Sequence, residues 1–179
     1  MRNSMKVAFC GVISALSLVL LFLTGMAPMA TLALPAIAGC LLVPVVVEVG
    51  LSWAFGVYGV CSVLAFLLAP DREALLFYLL FFGYYPALFA VLGRIRHRAL
   101  RYVAKLLVFN AAVVLEAVLS VYVLGIPFET ISILGPYTPV ALLVLANVVF
   151  VVYDLALEGL IVQYLNRLHD RLGKLLKGK

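Results

Sequence analysis

Histidine occurs twice in this chain of 179 residues and tryptophan once, and only 12% of the residues are charged. Each shortage excludes something. The histidines, His97 and His169, fall in a basic loop and a basic tail, away from any carboxylate on an apolar segment. No HExxH, GxSxG or phosphate-binding glycine loop is present, and the absence of a Walker motif removes that route to ATP hydrolysis. We therefore expect no enzyme, no catalytic residue and no cofactor. Cysteine is also scarce: Cys10, Cys40 and Cys61 all sit in apolar stretches without metal-ligand spacing. They read as small packing residues, with no disulfide and no metal site.

What is abundant is hydrocarbon. With 66% hydrophobic residues and a mean hydropathy of +1.22, the chain has too little polar surface to cover a soluble core. Its apolar runs reach the roughly 20 residues that a helix needs to cross a bilayer. The expected fold is all-α: a polytopic membrane protein, one compact bundle of six transmembrane helices over residues 1–179. The spans are read at 6–26, 30–49, 51–69, 73–93, 103–124 and 139–162. The first is too long in its apolar core for a cleaved signal peptide. The second carries Pro35, Gly39 and Pro44, so it is either kinked or partly re-entrant. The short turn from Glu48 to Leu51 implies an antiparallel hairpin between the second and third.

Lysine and arginine set the orientation. Arg2 and Lys6 precede the first span; Arg94, Arg96, Arg98, Arg101 and Lys105 join the fourth and fifth; Arg167, Arg171, Lys174, Lys177 and Lys179 belong to the tail. With six spans, all three groups lie on one side, so both termini are expected to be cytoplasmic. The opposite side has Asp71, Arg72 and Glu73, plus Glu129. The formal charge of +5 is accounted for by topology and by attraction to anionic membrane lipid, with no nucleic acid involved. The tail over about 165–179 interleaves leucines with cations and reads as an amphipathic helix on the inner leaflet or a docking surface for a cytoplasmic partner.

Polar groups at membrane depth are costly and usually face protein or a cavity. The fifth span carries Asn110 and Glu116; the sixth carries Asn147, Asp154 and Glu158. By depth, Glu116 pairs with Asn147, and Asn110 with Asp154. Glu158 lies near the inner surface within reach of Lys105 or Arg101, which suggests a structural ion pair. Glu116 has no basic residue at its level. It is either a neutral hydrogen-bonding link to Asn147 or a tyrosine, worth roughly 0.6–2 kcal/mol, or a contact for a cationic or donor-bearing ligand.

Two further features stand out. In the fourth span, "FFGYYPAL" from Phe81 to Leu88 interrupts an apolar run. Pro86 removes a backbone donor and crowds the carbonyl of Phe82, which predicts a bend near Gly83. Tyr84 and Tyr85 point about 100° apart, so one is expected to reach into the bundle near Glu116 or Asn110. In the first span, Ala8, Gly11 and Ala15 form a small-residue stripe along which another helix can approach closely.

The six spans, the charge distribution and "GVISA", with Gly11 and Ala15, resemble the substrate-binding S components of energy-coupling factor transporters. That resemblance implies a protein of the bacterial cytoplasmic membrane that binds a micronutrient near its outer face. It also implies reliance on separate ATPase subunits and a transmembrane coupling subunit, the latter meeting Ala8, Gly11 and Ala15. The small-molecule ligand would then be held by Glu116 and Asn147, with Tyr84, Tyr85 and Asn110 nearby. Asp71, Arg72 and Glu73 would lie at the mouth, and Tyr137 in a covering loop. The chain has no vitamin-specific signature, nor the N-terminal histidine expected of nickel or cobalt binders. The alternative is a structural scaffold of the envelope or cell-shape machinery, which would use the same stripes without a ligand. A water-accessible outer cavity reaching Glu116 separates the two.

Overall fold

The structure is a computed structural model, and it describes residues 3–123, 125 and 138–167. The described residues are helical throughout their regular parts, with no strand among them. In chain order the helices are α1 (Asn3–Leu23), α2 (Ala33–Cys40), α3 (Leu42–Glu48), α4 (Leu51–Leu68), α5 (Arg72–Phe77), α6 (Tyr85–Leu92), α7 (Arg98–Tyr122) and α8 (Thr138–Arg167). A π-helical turn, Tyr78–Phe82, joins α5 to α6. Among the described residues five helical rods are long and apolar enough to cross a membrane: Asn3–Met26, Leu51–Leu68, Arg72–Leu92, Arg98–Tyr122 and Val140–Arg167. Their outward faces are apolar too. Val63, Phe66 and Leu67 on α4, like Val148, Val151 and Val152 on α8, stand exposed, as suits helices whose solvent is lipid.

The remaining apolar segment, Ala33–Glu48, is shorter. At about 1.5 Å per residue it rises roughly 24 Å, below the ~30 Å of a bilayer core. It is two helices hinged at Leu41. Pro35 and Pro44 each occupy the first turn of their helix, where a missing N–H breaks no intrahelical bond. The segment is therefore interrupted at one residue. Gly50 then reverses the chain into α4 at φ 110°, a conformation open to glycine and costly for other residues.

Two apolar cores result. In one, Cys10, Ile13, Ser17 and Leu21 of α1 pack on Ala54, Val57, Cys61 and Ala65 of α4, with α2 alongside. Small residues on α4 let the helices approach closely. The other lies between α3, the π turn, α6, α7 and α8, and it is aromatic: Phe81, Tyr85, Phe109 and Phe150 pack around Val43 and Leu157. Phe109 and Phe150 stack with centroids 4.5 Å apart.

The break inside "FFGYYPAL" has a physical cause on both sides. The Gly83 N–H donates to the carbonyl of Tyr78, five residues back, at 2.8 Å. That shift takes from Leu79 the donor an α-helix would supply. The Tyr58 hydroxyl on α4 replaces it, donating to the Leu79 carbonyl at 2.7 Å. The Tyr84 hydroxyl in turn donates to the Leu80 carbonyl at 2.7 Å. Phe82 would bond to residue 86, which is proline and has no N–H; its carbonyl instead faces Gly39 of α2, where an added Cβ would overlap it. One phenol and one glycine from neighbouring helices, with the phenol of Tyr84 in the segment itself, thus accommodate the interruption.

The helix boundaries differ from expectation mainly in α7 and α8. Both run further toward the basic side, through Arg98–Tyr102 and Gln163–Arg167. Arginine and glutamine are good helix formers, and long cationic side chains reach the interface from within a helix. The expected tail helix overlaps α8 over residues 165–167; the rest of it lies outside the described residues.

Candidate functional site

α7 and α8 run antiparallel, and their buried positions repeat at helical spacing: Lys105, Phe109 and Ala112 on one, Phe150, Asp154 and Leu157 on the other. This register sets three layers. In the innermost, the Lys105 ammonium donates to both carboxylate oxygens of Asp154, at 2.7 and 2.8 Å. The Tyr85 hydroxyl donates to Asp154 Oδ1 at 2.6 Å, and the Lys105 Nζ stands 3.8 Å from the centroid of Phe89. Both charged side chains are 4% exposed. The Phe109–Phe150 stack forms the second layer. In the third, the amides of Asn110 and Asn147 bond reciprocally, each donating to the other's carbonyl oxygen at 3.0 Å.

Beside the second and third layers, side chains of α5, the π turn, α7 and α8 surround a cavity of about 710 Å³. Its walls come from Phe77, Phe81, Phe109, Val113, Leu143 and Val149, among others. Among the described residues lining it, Glu73, Glu116 and Ser120 alone carry polar side chains. Ser120 donates to Glu116 Oε1 at 2.7 Å, one helical turn along α7, which fixes the carboxylate against the wall.

Several expected pairings are replaced. Asn147 joins Asn110 and not Glu116, because the register matches residue 110 with 147. Glu116 bonds to Ser120 on its own helix. Lys105 does not pair with Glu158: its ammonium is taken by Asp154, while Glu158 lies on the exposed face of α8. Asp154 is therefore matched with Lys105 and Tyr85, not with Asn110. Tyr85 reaches into the bundle, as the 100° argument asked of one tyrosine, but at the depth of Asp154. Tyr84 packs against Tyr58 at 5.7 Å between centroids.

Of the sequence-read ligand residues that are described, Glu116 and, expected at the mouth, Glu73 line the cavity. Asp71 caps α5, accepting from the backbone N–H groups of Glu73 and Ala74 at 3.0 and 3.1 Å, and Thr31 donates to its other oxygen at 3.2 Å. Arg72 turns toward α4, donating to the Phe66 carbonyl at 2.6 Å. Tyr137 and its loop lie outside the described residues. Ser120 enters the site without having been singled out. Its spacing carried a signal, since Ser120 follows Glu116 by one helical turn. Ala8, Gly11 and Ala15 all fall on the exposed face of α1, with open space where a side chain on Gly11 would project. Among the described residues no three His, Cys, Asp or Glu side chains gather as a metal site requires.

Comparison with family models, with characterised proteins and with solved structures finds no match to this chain.

Proposed function

We propose that this protein is the membrane-embedded substrate-binding subunit of an importer of the energy-coupling-factor type, taking a small ligand from the outer face. The observation that carries the reading is the cavity reaching Glu116. A scaffold held together only by packing gains nothing from a space of about 710 Å³ between its helices, since unfilled volume costs stability. The exposed stripe of Ala8, Gly11 and Ala15 supports a second part of the proposal, a close contact with a transmembrane coupling subunit. Energy would come from separate ATPase subunits.

The proposal includes six spans, counting Ala33–Glu48 as a shortened crossing, with both termini in the cytoplasm of a bacterial cell. Arg94, Arg96, Arg98 and Arg101 support that orientation. The test is affinity purification of the tagged chain from its native membrane, with protein identification and small-molecule mass spectrometry of the eluate. The reading expects an ATPase module and a bound micronutrient, and uptake of that compound lost in Glu116→Gln. Recovery of neither, with uptake unchanged, would overturn it in favour of the scaffold.

A further inference from the structure

Among the described residues lining the cavity, the charged side chains share one sign. Glu73 and Glu116 bring two carboxylates, Ser120 is already committed to Glu116, and no lysine, arginine or histidine is among the described lining residues. Arg72, the nearest cation in sequence, is held by the Phe66 carbonyl. Glu73 on α5, exposed, and Glu116 on α7, part-buried, line the same cavity, and like charges that share a site are relieved by a cation between them. An anionic guest would meet repulsion without a partner. The rest of the wall is hydrocarbon and aromatic ring, where additional polar groups on a guest would be stranded without hydrogen bonds, while ring faces favour a cation further. A plain acyl chain fits the wall but leaves Glu116 facing hydrocarbon, which is costly at this depth.

We propose that the cavity takes an amphiphilic cation: an apolar body lying against α7, α8 and the π turn, with one ammonium-type head at Glu116 and Glu73. This rests on the reading of the cavity as a ligand site and adds the class of ligand. The volume is within the ~300–1,000 Å³ range of small-molecule sites.

The test uses three probes that share one apolar body and differ in head charge: 4-phenylbutylamine, 4-phenylbutanol and 4-phenylbutanoate. Binding is measured at neutral pH to the full chain in phosphatidylcholine nanodiscs, with empty nanodiscs as reference. The amine is expected to bind about tenfold or more tighter than the alcohol, with the carboxylate weakest. Glu116→Gln, nearly isosteric, should bring the amine to the level of the alcohol. Ala117→Trp, which fills the cavity from α7, should remove all three.

Equal binding of the three probes, unchanged in Glu116→Gln, would overturn the cationic class while leaving an apolar ligand site. Tightest binding by the carboxylate would do the same. If no probe binds while a compound of another class copurifies from native membrane and is lost in Ala117→Trp, the class is again wrong and the site stands. Ala117→Trp indistinguishable from the native chain in every measurement would overturn the site itself.

Discussion

Asp154 accepts three hydrogen bonds, two from Lys105 and one from Tyr85, almost out of reach of solvent. A buried pair of this kind gains stability only while both charges are present. Asp154→Asn strands the lysine and is expected to cost about 3–5 kcal/mol, whereas the double change Asp154→Leu with Lys105→Met should recover most of it. Unfolding of the purified variants in mixed micelles measures both. Tyr85→Phe keeps the ion pair and loses one bond to a charged acceptor, about 1.5–3 kcal/mol. The pair was half legible in the sequence. Asp154 was visible as an intramembrane carboxylate, but Lys105 adjoins Arg98 and Arg101 and so merged with the basic loop. Its place on the stripe with Phe109 and Ala112 was the available clue.

At the scale of elements, the bend in the fourth apolar segment was legible from Pro86 and Gly83, because a missing N–H and a missing side chain act locally. The π turn was not. It depends on Tyr58 of α4 supplying a donor to Leu79 and on Gly39 of α2 clearing room for Phe82, and no local pattern announces partners from other helices. Gly39→Ala is expected to destabilise by about 1–3 kcal/mol, since the obstructing group is a backbone carbonyl that cannot swing aside. Gly11→Ala meets nothing within 4 Å and should leave the unfolding midpoint of the isolated chain unchanged. The contrast between these two glycines separates a packing requirement from an outward-facing stripe. The hinge at Leu41 follows a similar division: the prolines predicted a disturbance, and their placement in two first turns made it a join between helices.

For the whole molecule, composition alone made the membrane legible, because so little charge cannot cover a soluble core. The cavity was not. It is bounded by side chains of α5, the π turn, α7 and α8 together, a property of how separate helices pack. The site was legible to the extent of Glu116 and of Glu73 at its mouth; Ser120 joins it through the fold. The proposed orientation is open to direct measurement in a background lacking Cys10, Cys40 and Cys61. A cysteine at Glu73 is expected to react with impermeant maleimide on intact cells, and one at Arg96 only after permeabilisation. The reverse pattern, or equal labelling, would contradict both the orientation and the outer-face site.

The central claim is that the cavity beside Glu116 holds a small molecule. Its most direct test is mass spectrometry of the chain released from native membranes, comparing the native protein with Ala117→Trp. The account predicts one compound in near-stoichiometric amount with the native chain and its absence from a folded Ala117→Trp variant. The same bulk lipids and nothing else in both samples would contradict it.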